Sequence, residues 1–244
     1  MAEINTHYIY EEVISWLHTR KDSGCRGVVL GLSGGKDSTV VAMLAKQVWG
    51  DNVYALIMPN GVQSDIDDAI AIAKRLQLKY DICDIENMYH GYWECAKNKF
   101  GYSAKAFSNV APRIRMTLLY AAAQSLGYQV IGTGNASERY IGWCTKFGDM
   151  GCDFNPIGHL VCREVVALGE LLAYMYELPR EYIVKTPADG LTGRSDEENF
   201  GFRYEELDDY ITYGTSGDPR IDEEIERLHK AAMHKLVMPA MIRE

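Results

Sequence analysis

The sequence predicts an α/β fold, a doubly wound parallel sheet flanked by helices, in one domain over residues 1–244. Two observations predict it. Short buried apolar runs alternate with helix-periodic segments at the spacing of right-handed βαβ units. The first apolar run also ends in "GLSGGKDS" (31–38), a loop of glycines and hydroxyls placed where a parallel sheet meets its ligands.

Taken in order, Ile9, Val13, Ile14, Trp16 and Leu17 recur at helical spacing, so residues 5–20 read as an amphipathic helix ending before Asp22-Ser23-Gly24. "RGVVLGLS" is a short buried strand, "STVVAMLAKQVWG" a helix stopped by Gly50, and "NVYALIMP" a second strand ended by Pro59. "SDIDDAIAIAKRLQL" opens a helix with Ser64 as N-cap and Asp65 and Asp67 in its first turn, where acids suit the positive helix end. "KYDICDI" is a third strand, and residues 86–108 are aromatic and irregular. "NVAPRIRMTLLYAAAQSLG" is a helix, "YQVIGTGN" a strand running into a glycine-containing turn, and "CREVVALGELLAYMYEL" a helix up to Pro179. Residues 188–202 are polar, acidic and glycine-containing, so they and the segment after Gly142 are expected to be mobile and to close over ligands. Asp218-Pro219 starts a last helix with Ile221, Ile225 and Leu228 as its stripe.

Composition narrows the function classes. A net charge of −9 leaves no basic excess to release counterions from a nucleic-acid backbone, although a local basic pocket for a phosphate-bearing small molecule stays open. No apolar run approaches the roughly 20 residues of a membrane span. The N-terminus has acids where a signal peptide has basic residues followed by an apolar core. The six cysteines are scattered, with no C-x-x-C pair and no His/Cys cluster at zinc spacing, and read as reduced thiols in a cytoplasmic protein.

The loop at 31–38 carries chemistry. Gly34 and Gly35 let the backbone turn tightly and approach a ligand. The hydroxyls of Ser33, Ser38 and Thr39, the free first-turn N–H groups and the positive helix end together suit an anion. Asp37 is a poor anion ligand by itself but a good one for a magnesium ion bridging phosphate oxygens. A tight turn whose polar residues merely cap the helix is the plainer alternative. The spacing is neither that of the common P-loop nor G-x-G-x-x-G.

"SGGKDS" resembles the pyrophosphate-binding loop of the N-type ATP pyrophosphatases, which cut ATP between its α and β phosphates. Three further stretches narrow the resemblance to the ammonia-dependent NAD synthetases: "NVAPRIRM" (109–116), "GTGNASERYIGWCTKFGDMGCDFNPIG" (132–158) and "HKLVMP" (234–239), with "YEELDDYI" (204–211) before the last. The resemblance runs over essentially the whole chain in the right order. It implies a Rossmann-like adenine-nucleotide fold and ATP-dependent amidation of nicotinic acid adenine dinucleotide (deamido-NAD) to NAD through an adenylated carboxyl. It also implies magnesium, ATP as cosubstrate, and an obligate homodimer with substrate bound across the interface.

Carried over by position, the resemblance implies that Gly31, Leu32, Ser33, Gly34, Gly35, Lys36, Asp37 and Ser38 wrap the ATP phosphates, with Thr133 touching ATP. Asp37 and Glu138 would hold the metal. Arg113, Lys146, Asp153, His234 and Lys235 would bind deamido-NAD, and Asp37, Glu138 and Lys146 form the catalytic set. Two departures stand out: Cys162 where the family usually has a lysine on ATP phosphate, and Ala188 where it has a serine or threonine. An extra amidase domain that releases ammonia from glutamine, found in some members, is not expected here. Two other readings stay open: another N-type pyrophosphatase that amidates or thiolates a different substrate, and a non-catalytic nucleotide sensor, against which intact Asp37 and Glu138 count.

Overall fold

The computed structural model describes residues 4–61, 65–99, 103–185 and 195–237. Helix α1 (Thr6–Asp22) starts at Asn5, whose side chain accepts from the Tyr8 N–H, and it buries Ile9, Val13 and Leu17. Strand β1 (Val28–Gly31) leads into α2 (Lys36–Trp49), which Gly50 ends with a positive φ. Next come β2 (Val53–Ile57), α3 (Ile66–Arg75) and β3 (Lys79–Ile82). Then follow α4 (Glu86–Ala96), α5 (Ala104–Ser108), α6 (Val110–Leu126) and β4 (Gln129–Val130). The remaining elements are α7 (Ala136–Ile141), α8 (Cys162–Met175), α9 (Glu181–Val184), α10 (Asp196–Phe200), α11 (Tyr204–Tyr213) and α12 (Pro219–Leu236).

The strands pair in parallel in the order β3-β2-β1-β4, with Val28 opposite both Val53 and Gln129. Two right-handed steps from β1 to β2 to β3 put α2 and α3 on one face. The chain then reverses direction, and the crossover to β4 lays α6 on the other face. Successive β1 side chains divide accordingly. Val28 and Leu30 join the α1, α2, α3 and α8 core, whereas Val29 packs with Leu56, Met58, Ala111 and Ala123 under α6. The reversal leaves a switch point between the carboxyl ends of β1 and β4, where such sheets bind ligands.

A third cluster, made by Ile141, Cys162, Phe200, Phe202, Tyr204, Leu207 and Ile225, packs α7, α10, α11 and α12 beside that switch point. Asp208 fastens it: its carboxylate accepts from the N–H groups of Cys162 (3.3 Å) and Arg163 (2.8 Å) at the start of α8.

Two expectations need correction. The stretch 86–108 is not irregular, since α4 and α5 lie in it. Tyr89 and Trp93, four residues apart on one helical face, both close on Phe107, with ring centroids 4.2 Å and 5.0 Å away. In the expected mobile segment 188–202, residues 188–194 lie outside the described residues, but 195–202 hold the capped helix α10. Its Ser195–Glu198 capping box satisfies the first turn, and Phe200 and Phe202 are buried. The stretch after Gly142 is pinned by its own bonds, Thr145 N–H to Asp149 Oδ1 (2.8 Å) and Gly148 N–H to the Thr145 carbonyl (2.9 Å).

Candidate functional site

A cavity of about 440 Å³ opens at the switch point. Its wall includes Gly31, Leu32, Ser33, Gly35, Lys36, Asp37 and Ser38 from the loop after β1. Thr133 and Gly134 after β4, and Glu138 on α7, face them.

The loop is shaped by its own hydroxyls. Ser33 Oγ accepts from the Gly35 N–H (3.2 Å) and lies 3.0 Å from Ser38 Oγ, while Ser38 and Thr39 donate to the Gly35 carbonyl. Gly34 sits at φ +81°, and a Cβ there would come within 2.8 Å of the Asp65 carbonyl, so only glycine fits. Gly35 opens α2 without a side-chain cap, which leaves the first-turn amides and the positive helix end to the cavity. The motif is thus an anion cradle.

Opposite the loop, Asn135 caps α7. Its Oδ1 accepts from the Glu138 N–H (2.9 Å), Glu138 Oε2 accepts from the Asn135 N–H (3.3 Å), and Asn135 Nδ2 donates to Asp37 Oδ1 (3.1 Å). One capping box therefore sets both carboxylates in register. Glu138 is held well above the usual carboxylate range, first by burial and then by Asp37; Lys36 and the Asn135 N–H oppose this. Lys36, itself buried, donates to Asp37 Oδ2 at 2.7 Å and lies 5.5 Å from the Tyr204 ring centre. Burial alone would lower its pKa, but the Asp37 carboxylate raises it, so the ammonium stays charged.

Cys162 lies in this neighbourhood. Burial pushes its thiol up to about 12 against the opposing pull of Lys36, so it is a neutral thiol. A lysine at 162 would bring a second ammonium to the one Lys36 already supplies. Arg163 points elsewhere, to Asp209 (2.6 Å) and Thr212 (3.0 Å). Ala188 lies outside the described residues.

The residues expected to bind the second substrate divide. Arg113 donates to the Lys146 carbonyl (3.3 Å), Lys146 Nζ to the His234 carbonyl, and Lys235 Nζ to the carbonyls of Gly142 (2.7 Å) and Cys144 (2.8 Å). Segments distant in sequence thus bring Arg113, Lys146, His234 and Lys235 into one rim cluster, and none of the four lines the cavity. Asp153 is apart from them at the sheet edge, accepting from the Val130 N–H at 2.7 Å.

Sequence reasoning missed several wall residues. Arg115, two residues beyond Arg113, faces the cavity instead of the rim. Lys185 bonds Asp65 (2.6 Å) and Asp68 (2.9 Å) across the mouth. Asp196 also lines the wall and accepts from the Tyr204 hydroxyl at 2.9 Å. The arginine pair in "RIR" was the available signal for Arg115, since alternate residues on a helix point to different faces.

Comparison with known proteins agrees with this geometry. The family model described as NAD synthase matches residues 9–240. The NH(3)-dependent NAD(+) synthetase of Archaeoglobus fulgidus is 42% identical over 230 residues, 91% of this chain and 90% of that one. That of Syntrophomonas wolfei is 35% identical over 249 residues, 97% and 96% of the two chains. Among solved structures, an NMN synthetase from Francisella tularensis superposes with a TM-score of 0.90 at 31% identity, covering 99% of this chain and 100% of that one. The NH3-dependent NAD synthetase of Campylobacter jejuni gives 0.80 at 30% identity over the same shares. A loop, a switch-point cavity and a match over nearly the whole length lead to one conclusion: the chain belongs to the NAD synthase family.

Proposed function

We propose that this protein amidates deamido-NAD to NAD, taking nitrogen from ammonia and driving force from ATP, with AMP and pyrophosphate as the other products. The observation that carries the reading is the cavity itself, where an anion cradle after β1 and a carboxylate pair share one wall. A nicotinate carboxylate oxygen attacks the α-phosphate and pyrophosphate leaves; ammonia then attacks the acyl carbon and AMP departs with that oxygen.

Two anions must meet in the first step, so the main demands are charge neutralisation and alignment. The residues of 31–38 would meet them by holding the phosphates with the α2 amides, with Lys36 nearby, and Thr133 would close the other side. Arg113, Lys146, His234 and Lys235 would hold the nucleotide outside the cavity. Asp153 supports that role least, its carboxylate being engaged by β4.

Asp37 and Glu138 fit magnesium. Among the described residues no group of three or more His, Cys, Asp or Glu forms a metal cage, and magnesium ordinarily takes one or two carboxylates with water and phosphate oxygens. Bound there it supplies charge neutralisation on the phosphates. We further propose the cytoplasm, in keeping with six free thiols, and a homodimer over residues 1–244. No described helix is long and apolar enough to cross a membrane. The outer side of α6 supports the dimer: Arg113, Thr117, Ala121, Gln124, Ser125 and Leu126 are exposed on it.

A second reading has its own support. The NMN synthetase superposes with the higher score of the two structures, which favours the same amidation on nicotinic acid mononucleotide. Incubation with ATP, magnesium and ammonium, together with either acid, tests both. NAD and AMP formed preferentially from deamido-NAD support the first reading, and NMN from the mononucleotide the second. ATP cleavage with neither product removes both.

A further inference from the structure

Three cations line the cavity among the described residues: Lys36, Lys185 and Arg115. Lys36 is paired with Asp37, and Lys185 with Asp65 and Asp68. Arg115 differs. Its Nε donates to the Met58 carbonyl at 2.9 Å, which fixes the plane of the guanidinium, and its two Nη groups make no hydrogen bond or ion pair with the described residues. Neither Nη is sealed in the protein, and Arg115 lines the cavity. Burial pulls this guanidinium below its ordinary value, and the Asp149 carboxylate, which lines the same cavity, opposes that. A half-buried fork that makes no ion pair with the described residues is a standing electrostatic cost, which a bound oxyanion relieves.

The surroundings identify the anion. The phosphate cradle is the loop at 31–38. Arg115 stands instead on α6 among apolar groups: Met58, Pro112, Met116 and Leu119 line the same wall. A Cβ on Gly151 would lie 2.6 Å from Met116 Cγ, and one on Gly148 3.1 Å from Pro112 Cβ, so two glycines let the loop after α7 close tightly on that wall. An apolar shelf with a guanidinium beside it fits a flat ring bearing a carboxylate. Adenine fits the shelf equally but carries no charge for the fork.

We propose that Arg115 binds the nicotinate carboxylate, so that it distinguishes the acid substrate from the amide product. The inference rests on the amidation reading above and holds for a mononucleotide or a dinucleotide substrate. One carboxylate oxygen stays on the guanidinium while the other approaches the α-phosphate. After amidation the charge is gone, and the product loses its hold.

The test compares acid with amide in the full chain, saturated with magnesium and α,β-methylene ATP, which cannot be cleaved between the α and β phosphates. Deamido-NAD and NAD are titrated against the parent protein, Arg115→Lys and Arg115→Gln; the mononucleotide pair replaces them if that acid is the one turned over. The parent should prefer the acid about tenfold or more, the value of a hydrogen bond to a charged group. Arg115→Gln should lose that preference through weaker acid binding, with NAD affinity and the affinity for the ATP analogue little changed. Arg115→Lys, which keeps the charge but not the fork, should retain part of it. A preference intact in Arg115→Gln, or a loss confined to the ATP analogue, overturns the assignment. If Arg115→Gln fails to fold in a thermal melt, an undiminished preference in folded Arg115→Lys overturns it equally. Failure of the amidation reading looks different: the parent then forms neither NAD nor NMN, and the inference falls with it.

Discussion

Asp37 accepts from Lys36 on one oxygen and from Asn135 on the other, so its carboxylate is a structural hub as well as a proposed metal ligand. Asp37→Asn should therefore fail twice. Turnover should drop by several kcal/mol of barrier, as one carboxylate leaves the magnesium site. Stability should also fall by about 3 kcal/mol, because the Lys36 ammonium is left buried without its partner. Turnover within tenfold of the parent at saturating magnesium would contradict the assignment. Glu138 gives a pH dependence. Its carboxyl is held above the ordinary 4.5 by burial and then by Asp37, so the folded protein keeps a proton that the unfolded chain has released. That contribution to stability is complete below pH 4.5 and is lost as pH rises towards the folded value. Without metal, the parent should lose stability relative to Glu138→Gln between about pH 5 and about pH 8, measured by thermal melts at constant ionic strength. A difference constant with pH contradicts it. The placement of Asp37 and Glu138 on one cavity wall was legible because each sits in a local motif. Arg115 was not, because only the packing of α6 decides which arginine of "RIR" faces inwards.

Gly142 joins the end of α7 to α12, the helix that carries the rim residues His234 and Lys235. It ends α7 at φ +70°, and a Cβ there would meet Ala232 Cβ of α12 at 2.4 Å. Its carbonyl also accepts from Lys235. Gly142→Ala adds left-handed strain and an overpacked methyl, together about 2–4 kcal/mol. It should raise the Michaelis constant for the acid substrate several-fold and leave that for ATP unchanged; no change in either contradicts the rim assignment. Element prediction succeeded where periodicity was long: α1, α2, α6, α8 and α12 appear where the apolar spacing puts them. It failed at 86–108, where Tyr89 and Trp93 carry a helical period that aromatic neighbours disguise. It failed again at 195–202, where burial of Phe200 and Phe202 by other elements orders a polar segment. The strand expected to run into a glycine-containing turn within 128–135 is Gln129–Val130, and beyond the Ile131–Phe154 bridge the chain turns away into the cavity wall.

At the scale of the whole molecule, the β-α-β alternation alone indicated a parallel sheet, but not the side on which β4 joins it. That depends on α6 crossing to the opposite face, a packing outcome seen in Val29 against Ala111 and Ala123. The same crossover makes the switch point, so the position of the cavity follows from the strand order. The exposed side of α6 leads to an expectation about assembly: light scattering at micromolar concentration should give twice the chain mass, and an active monomer would contradict the dimer. The central claim, that this cavity activates a carboxylate by attack on the α-phosphate of ATP, is tested most directly by oxygen transfer. Deamido-NAD labelled with oxygen-18 in its carboxylate is turned over with ATP, magnesium and ammonium, and the AMP is analysed by mass spectrometry. The account predicts one label atom on the phosphate of AMP and the other in the amide of NAD. Unlabelled AMP, or label in the pyrophosphate, would contradict it.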